Sequence, residues 1–170
     1  MRLKASFFAL TLMASGAAMA SPPARMIPGG VLDPAIDDAD IYLAAPAAPR
    51  IPRGRACALA GRYVALVNAG KYREVAALFA DDASFLEPMR PTLHGRAQID
   101  AFYTRRIGAM APQVMAVAYF GNDRECLVEL ALQVEIGGAK RWALVSMDHF
   151  ILGADGKVQS MTAFARPPRG

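Results

Sequence analysis

Residues 79–103 read FADDASFLEPMRPTLHGRAQIDAFY, and this stretch joins an apolar helix end to a short strand and a further helix. The pair Asp81-Asp82 predicts a turn, because aspartate side chains compete for backbone hydrogen bonds and disfavour helix. Pro88 lacks an N–H and restricts the residue before it, so a short strand over residues 83–87 is predicted to end at Glu87. The stretch therefore predicts an acid at a strand end behind apolar side chains, as expected for a base in a pocket.

Two helices are predicted before this stretch and one within it. Apolar residues, Tyr63 among them, recur at helical spacing over residues 56–68, and Gly70 follows as a helix stop. A shorter helix is predicted over residues 71–80. After the strand, a third helix is predicted over residues 96–107, with its apolar side chains on one stripe.

The rest of the chain changes to the period of strands. Residues 114–120, 125–136, 141–152 and 158–165 predict four strands, and the short connections between them contain glycine. Connections of this kind join antiparallel neighbours. Three helices followed by an antiparallel meander predict an α+β domain with the helices packed on one face of the sheet.

Alternation within these strands predicts which face is buried. From Val128 to Ile136 the even-numbered residues are apolar, so they are predicted to face the helices. The strand over residues 141–152 is largely apolar on both faces, and His149 must point to the face opposite to its neighbour Asp148. The face turned away from the helices needs cover, and a second subunit is the simplest source of it. The sequence therefore predicts a homodimer through the sheet.

Length and composition bound the class of protein. The chain has 170 residues, of which 54% are apolar, so it is long enough for one complete core. Its net charge of +4 is modest and its basic residues are scattered, which argues against nucleic acid as a partner.

Residues 1–20 have the pattern of a secretory signal peptide, with Arg2 and Lys4, an apolar run, and Ala18-Met19-Ala20 at the end. We expect cleavage after Ala20. The apolar run is too short for a stable membrane anchor, so the mature protein is expected to be periplasmic or secreted.

The segment over residues 21–54 is rich in proline and alanine and predicts an extended lead or linker, which leaves residues 55–167 for the domain. The chain has two cysteines, Cys57 and Cys126. We expect two buried free thiols, because two cysteines in a chain of this length do not make a disulfide framework. The alternative is a bridge between them, which would contribute about 4 kcal/mol by closing a long loop.

Three side chains are candidates for a functional site: Tyr63 on the first helix, Glu87 at the strand end and Asp148 within an apolar strand. Burying an ionised Asp148 is costly, so it must be paired, exposed or held neutral by a raised pKa, and a neutral carboxylic acid donates a hydrogen bond. Each residue also has an ordinary explanation. Tyr63 fits a core aromatic, Glu87 an exposed acid before a turn, and Asp148 a paired structural acid.

Two runs, RYVALVNAGKYREVAALFADDASFLEPMRPTLHGRAQIDAFY and ALVSMDHFILGADGKVQSMTAF, resemble the ketosteroid isomerases within the SnoaL-like, nuclear transport factor 2-like superfamily. The resemblance covers roughly residues 56–166. The elements Ala-Asp-Asp-Ala, His-Gly-Arg-x-x-Ile-x-x-Phe-Tyr and Asp-Gly-x-x-x-x-Met are specific when they occur together. The resemblance implies an α+β, cone-shaped roll in which three N-terminal helices pack on a curved antiparallel sheet around a deep apolar pocket, usually as a dimer through the sheet.

The resemblance also implies roles for individual residues. Tyr63 matches the family's oxyanion-hole tyrosine, Asp148 its protonated aspartic acid, and Glu87 the position of its general base, which is normally an aspartate. The residues expected to line the pocket are Phe79, Phe102, Tyr103, Leu130, Leu132 and Met161. The implied activity is proton transfer on a small apolar, steroid-like ketone without a metal or an organic cofactor. Ketosteroid isomerase is the standard example of an enzyme that combines a carboxylate base with a neutral carboxylic acid that donates a hydrogen bond.

Departures from the family pattern limit what the resemblance implies. Glu87 is one methylene longer than the usual aspartate, and misplacing a base by about 1 Å costs roughly a hundredfold in rate. Phe79 stands where some members have a supporting tyrosine, so Tyr63 is expected to lack a hydrogen-bonded neighbour. Ala165 replaces a bulky aromatic residue of some steroid pockets. The alternatives are polyketide cyclisation, hydration or dehydration in the same pocket, and non-catalytic binding of an apolar ligand or partner.

Overall fold

The computed structural model describes residues 54–88, 90–136 and 138–165, together with Ile51 and three two-residue strands before it. The predicted signal peptide, most of the predicted lead and residues 166–170 lie outside the described residues. None of the helices in the described part of the chain has the length and apolar character needed to cross a membrane.

The described helices are α1 (Arg55–Asn68), α2 (Tyr72–Ala77), α3 (Gly95–Ala101) and α4 (Gly108–Met110), with a π-helical segment, Phe102–Ile107, joining α3 to α4. The described strands are β1 (Met26–Ile27), β2 (Val31–Leu32), β3 (Tyr42–Leu43), β4 (Phe79–Leu86), β5 (Leu93–His94), β6 (Val114–Gly121), β7 (Glu125–Ile136), β8 (Ala139–Leu152) and β9 (Val158–Ala165).

Seven of these strands form one mixed, curved sheet in the order β5-β4-β9-β8-β7-β6, and β3 pairs with β8. Strands β6 to β9 form the predicted antiparallel meander. The expectation of a wholly antiparallel sheet is wrong, because β4 lies parallel to β9. Register shifts interrupt four of the strand pairs, and such bulges bend and twist the strands that carry them.

The second helix is shorter than predicted. It ends at Ala77, and the residues predicted as a helix end and turn instead open strand β4. Phe79 and Ala83 are fully buried in this strand, and burial against the core outweighs the turn preference of the two aspartates between them.

Asp81 and Asp82 remain exposed because the register of β4 against β9 shifts between Phe79 and Ser84. Asp81 forms an ion pair with Arg96 at the start of α3.

In the region of the predicted third helix, α3 ends at Ala101 and the chain continues through the π-helical segment to Met110. The core lies between the helices and the inner face of the sheet. Val128 and Leu130 of β7 are buried in this core, as the alternation predicts. Beyond the register shift after Leu130 the alternation does not hold in the same way, because Ala131 is fully buried and Val134 is buried in a separate cluster, and the side chain of Ile136 lies outside the described residues. The outer face carries exposed large apolar side chains, namely Leu86, Phe120, Met147, Ile151 and Phe164.

Cys57 of α1 and Cys126 of β7 form a disulfide, so the expectation of two free thiols is wrong. Their Cα atoms lie 5.0 Å apart, within the range that a bridge requires. Both residues are fully buried. The disulfide joins the helix that carries Tyr63 to the sheet that carries Asp148.

Candidate functional site

Tyr63 is buried on the side of α1 that packs on the sheet. Its ring meets the ring of Phe150 edge-on, with 5.1 Å between centroids, and that of Tyr103 with 6.0 Å between centroids. Edge-to-face pairs of this kind fix ring orientation as well as contributing burial. The phenol is therefore held in a defined direction between a helix and a strand.

The hydroxyl of Tyr103 donates a hydrogen bond of 3.0 Å to the hydroxyl oxygen of Tyr63. Tyr103 is fully buried and comes from the π-helical segment, a kind of irregularity that is common at functional sites. The expectation that Tyr63 lacks a hydrogen-bonded neighbour is therefore wrong. Phe79 provides no such bond, but its ring packs 6.2 Å from that of Tyr103.

Asp148 lies on the inner face of β8, paired with Val128 of β7 and Ala163 of β9. It is only 4% exposed, and no other charged residue in the described part of the chain is buried. Burial raises the pKa of Asp148 to about 7, against the opposite effect of hydrogen bonds from Ser146 and Tyr63. A carboxyl group with this pKa is largely protonated below neutral pH and can donate a hydrogen bond.

Both phenols also remain protonated at neutral pH. Burial, together with the neighbouring Tyr103 and Asp148, raises the pKa of Tyr63 well above its ordinary value. Burial likewise raises the pKa of Tyr103. Tyr103, Tyr63 and Asp148 thus form a contiguous buried group of hydrogen-bonding side chains without a formal charge when Asp148 is protonated.

Glu87 follows the last residue of β4, and strand alternation places it on the same side as Phe85, whose partner on β9 is Met161. Its side chain is 18% exposed, so it is not the exposed strand-end acid of the ordinary explanation. Its Oε2 atom is buried and has no hydrogen-bond partner among the described residues. The Nε atom of Arg90, 3.8 Å from Oε2, provides a charge partner beyond hydrogen-bonding distance.

Glu87 and Asp148 lie on the same face of the sheet with one strand between them. Leu86 is paired with Thr162, so Glu87 is level with Ala163, and Ala163 is paired with Asp148. Two interstrand spacings of 4.7–4.9 Å put the two backbone positions about 10 Å apart. The residue between them is Ala163, which is partly buried and packs against the apolar cluster that contains Tyr63.

Five of the six predicted pocket residues belong to the apolar cluster that contains Tyr63 or pack against it: Phe79, Phe102, Tyr103, Leu130 and Met161. Leu132 does not, because it packs with Val134 and Ala143 in a separate cluster further along β7. In the described part of the chain, no three His, Cys, Asp or Glu residues are grouped so that they could hold a metal ion.

Ser146 and the hydroxyl of Tyr103 are functional candidates that reasoning from the sequence missed. Ser146 hydrogen bonds to the Asp148 carboxyl from two residues earlier on the same face of β8. That spacing is visible in the sequence. The bond between Tyr103 and Tyr63 joins residues 40 positions apart and has no local sequence signal.

Comparisons with known proteins identify relatives of this chain. Residues 60–161 match the model of the SnoaL-like domain. A curated relative, the steroid Delta-isomerase of Nocardioides simplex, is 30% identical over 112 residues, which cover 65% of this chain and 89% of the relative.

Two solved structures share the fold. One is SalBIII, an epoxide hydrolase/cyclase-like enzyme with a role in pyran ring formation in the polyether salinomycin, at a TM-score of 0.54 and 22% identity, covering 64% of this chain and 88% of that one. The other is RV0760c from Mycobacterium tuberculosis in complex with estradiol-17beta-hemisuccinate. It has a TM-score of 0.56 and 19% identity, and the match covers 66% of this chain and 94% of that one. The resemblance seen in the sequence is confirmed, and the chain belongs to the SnoaL-like domain family.

Proposed function

We propose that this protein is a cofactor-free isomerase that moves a proton, and with it a double bond, on an apolar, steroid-like ketone. The observation that carries the proposal is the meeting of Tyr63 with a buried Asp148 whose pKa is raised to about 7. The relationship to a steroid Delta-isomerase supports the same reaction class.

Glu87 is the proposed base. Its buried Oε2 has no hydrogen-bond partner among the described residues, so this oxygen is available to take a proton from the carbon next to the ketone. Negative charge then develops on the ketone oxygen as the dienolate forms. The protonated Glu87 returns the proton to a second carbon, so the double bond moves and the substrate is neither oxidised nor reduced.

Tyr63 and neutral Asp148 are the proposed donors to the dienolate oxygen. Donors aimed in advance at the atom where charge develops stabilise the transition state, and they do so more strongly in an apolar site than in water. The hydrogen bond from Tyr103 strengthens Tyr63 as a donor, because a hydroxyl that accepts a hydrogen bond becomes a better donor.

The apolar surroundings favour a substrate of the same character. The rings of Phe85 and Phe102 lie 5.4 Å apart and edge-on, beside the position of Glu87, and Met161 lies opposite Phe85 on β9. Side chains of this kind bind an apolar skeleton, while the three polar groups orient its ketone.

The test is the absorbance of the conjugated enone that forms from a β,γ-unsaturated ketosteroid. Glu87→Gln and Asp148→Asn are each expected to lower kcat by roughly a hundredfold, because one removes the base and the other the acidic donor. Glu135→Gln is the matched control, since Glu135 is exposed on β7. Equal rates in all four proteins would remove the proposed roles.

Steroid binding without turnover would favour the alternative of non-catalytic binding. Turnover of a polyketide or a hydratase substrate without enone formation would favour the other chemistry of this superfamily.

We also propose that the protein is exported and dimeric. Export is supported by the signal-peptide pattern of residues 1–20 and by the disulfide, since disulfides persist in oxidising compartments. A dimer is supported by the exposed apolar side chains on the outer face of the sheet. Recovery of the protein only from the cytoplasm, or a monomeric mass by light scattering at micromolar concentration, would contradict these proposals.

A further inference from the structure

We infer that α1 is clamped to the sheet at both ends, and that this clamp is the device that positions Tyr63. For its catalytic consequence the inference rests on the proposed function. The residues that form the clamp are Cys57 and Cys126, Asp123, and Asn68, none of which is in the proposed catalytic group.

The first attachment is the disulfide, which joins the first turn of α1 to the start of β7. Gly121, at the end of β6, makes room for it. A methyl group at Gly121 would lie 2.9 Å from the Cys57 Sγ and 2.7 Å from the Cys126 Cα, and it would clash with the Glu125 carbonyl oxygen. A side chain at this position is therefore incompatible with the close approach of helix and hairpin.

The second attachment replaces the missing cap of the helix. The N-cap residue of α1 is Gly54, which has no side chain to accept a bond from the first turn. The carboxylate of Asp123, in the turn between β6 and β7, accepts the backbone N–H of Arg55 at 2.9 Å instead. The hairpin therefore caps a helix that begins 68 residues earlier, and Gly54 itself packs against the backbone of Asn122 in the same turn.

The third attachment holds the other end of α1. The side-chain amide of Asn68, the last residue of the helix, donates to the Val114 carbonyl oxygen at 2.8 Å. Its Oδ1 accepts the Val114 N–H at 2.7 Å. These two bonds join the end of α1 to the first residue of β6. They use the backbone N–H and C=O of Val114, the groups that a neighbouring strand would bind.

Tyr63 lies between these attachments, six residues after Cys57 and five before Asn68. Cys126 is paired with Phe150 on β8, and the Phe150 ring contacts that of Tyr63. A slide of α1 along the sheet would therefore move the Tyr63 hydroxyl away from both Tyr103 and Asp148. Displacements of about 1 Å in a reacting geometry cost roughly a hundredfold in rate, so a helix that carries a donor gains from attachment at both ends.

The experiment compares variants that release the clamp with one that only destabilises the fold. Cys57→Ala combined with Cys126→Ala removes the covalent attachment at the first end, where the bond to Asp123 remains, and Asn68→Ala releases the other end. Val158→Ala is the control, since Val158 is fully buried on β9 and belongs neither to the clamp nor to the proposed site. Thermal unfolding, kcat and KM are measured for all of them at a temperature where each is folded.

A second readout needs no turnover. The hydroxyl proton between Tyr103 and Tyr63 is buried, and we expect it as a slowly exchanging downfield proton resonance, assigned through its loss in Tyr63→Phe. We expect this resonance to be lost or shifted in both clamp variants and unchanged in Val158→Ala. We expect kcat to fall about tenfold in the clamp variants with KM changed less than twofold, because the released helix misplaces a donor without closing the pocket.

Each outcome decides the inference. An unchanged resonance in both clamp variants, or a kcat equal to that of a control with the same loss of Tm, would overturn it. A changed resonance in a protein without isomerase activity would support the clamp and remove the proposed function. If the double cysteine variant does not fold, Asn68→Ala alone decides by the same two readouts.

Discussion

Replacing Asp148 with asparagine should change how the stability of the protein depends on pH. Asp148 is buried, and its pKa rises from 3.8 to about 7 on folding because burial disfavours the charged form. The folded protein therefore binds this proton more tightly than the unfolded chain does. The resulting stabilisation is complete below the unfolded pKa and is lost as the pH rises through about 7.

The size of the effect follows from the two pKa values. Between pH 5 and pH 8, titration of this carboxyl group removes about 3 kcal/mol from the free energy of unfolding of the parent protein. The asparagine side chain does not titrate, and its N–H can still donate a hydrogen bond. The stability of Asp148→Asn relative to the parent should therefore rise by about 3 kcal/mol over this range.

Urea unfolding of both proteins at pH 5 and pH 8 measures this difference, and other titrating groups cancel in the subtraction. Val158→Ala is a suitable control, because Val158 is fully buried on β9, is not paired with Asp148 and does not titrate. Its difference from the parent should be the same at both pH values. A difference for Asp148→Asn that stays constant within about 0.5 kcal/mol would refute a buried carboxyl group with a raised pKa.

Three further predictions concern the site, the disulfide and the outer face. Tyr103→Phe removes the donor to Tyr63 and should lower kcat about tenfold in the enone assay, and an unchanged kcat would show that this bond has no part in catalysis. Gly121→Ala places a methyl group against the Cys57 Sγ, so thiol titration of the unfolded protein should find free cysteine, whereas full oxidation at parental stability would contradict the packing. Phe164→Glu puts a charge on the exposed apolar face of the sheet, so it should dissociate the dimer and halve the mass measured by light scattering. A dimeric mass for this variant would show that the interface does not include this part of the outer face.

The parts of the fold that were predictable are those set by local pattern. Strands β6 to β9 follow from alternation and from glycine-containing turns, since both signals lie within a few residues of each other. The start of β4 was not predictable in this way. The local preference of Asp81-Asp82 is for a turn, and only pairing with β9, about 80 residues later, reverses it.

In the candidate site, too, some features were predictable from the sequence and others depend on contacts made only in the folded protein. Family resemblance pointed to Tyr63, Glu87 and Asp148, and alternation placed His149 on the face opposite to Asp148. The disulfide and the bond from Tyr103 to Tyr63 depend on how α1 and the π-helical segment lie on the sheet. No spacing along the chain encodes those contacts, because each joins elements that meet only after folding.

In the proposed reaction, Glu87 removes a proton next to a ketone whose oxygen is held by Tyr63 and Asp148. Deuterium exchange at the α-carbon tests this proton removal directly. It is followed by NMR in D₂O for a series of apolar ketones of increasing size. If Glu87 is the base, the parent protein catalyses this exchange and the rate in Glu87→Gln is roughly a hundredfold lower. Exchange at the same rate in the parent and in Glu87→Gln for every ketone would contradict it.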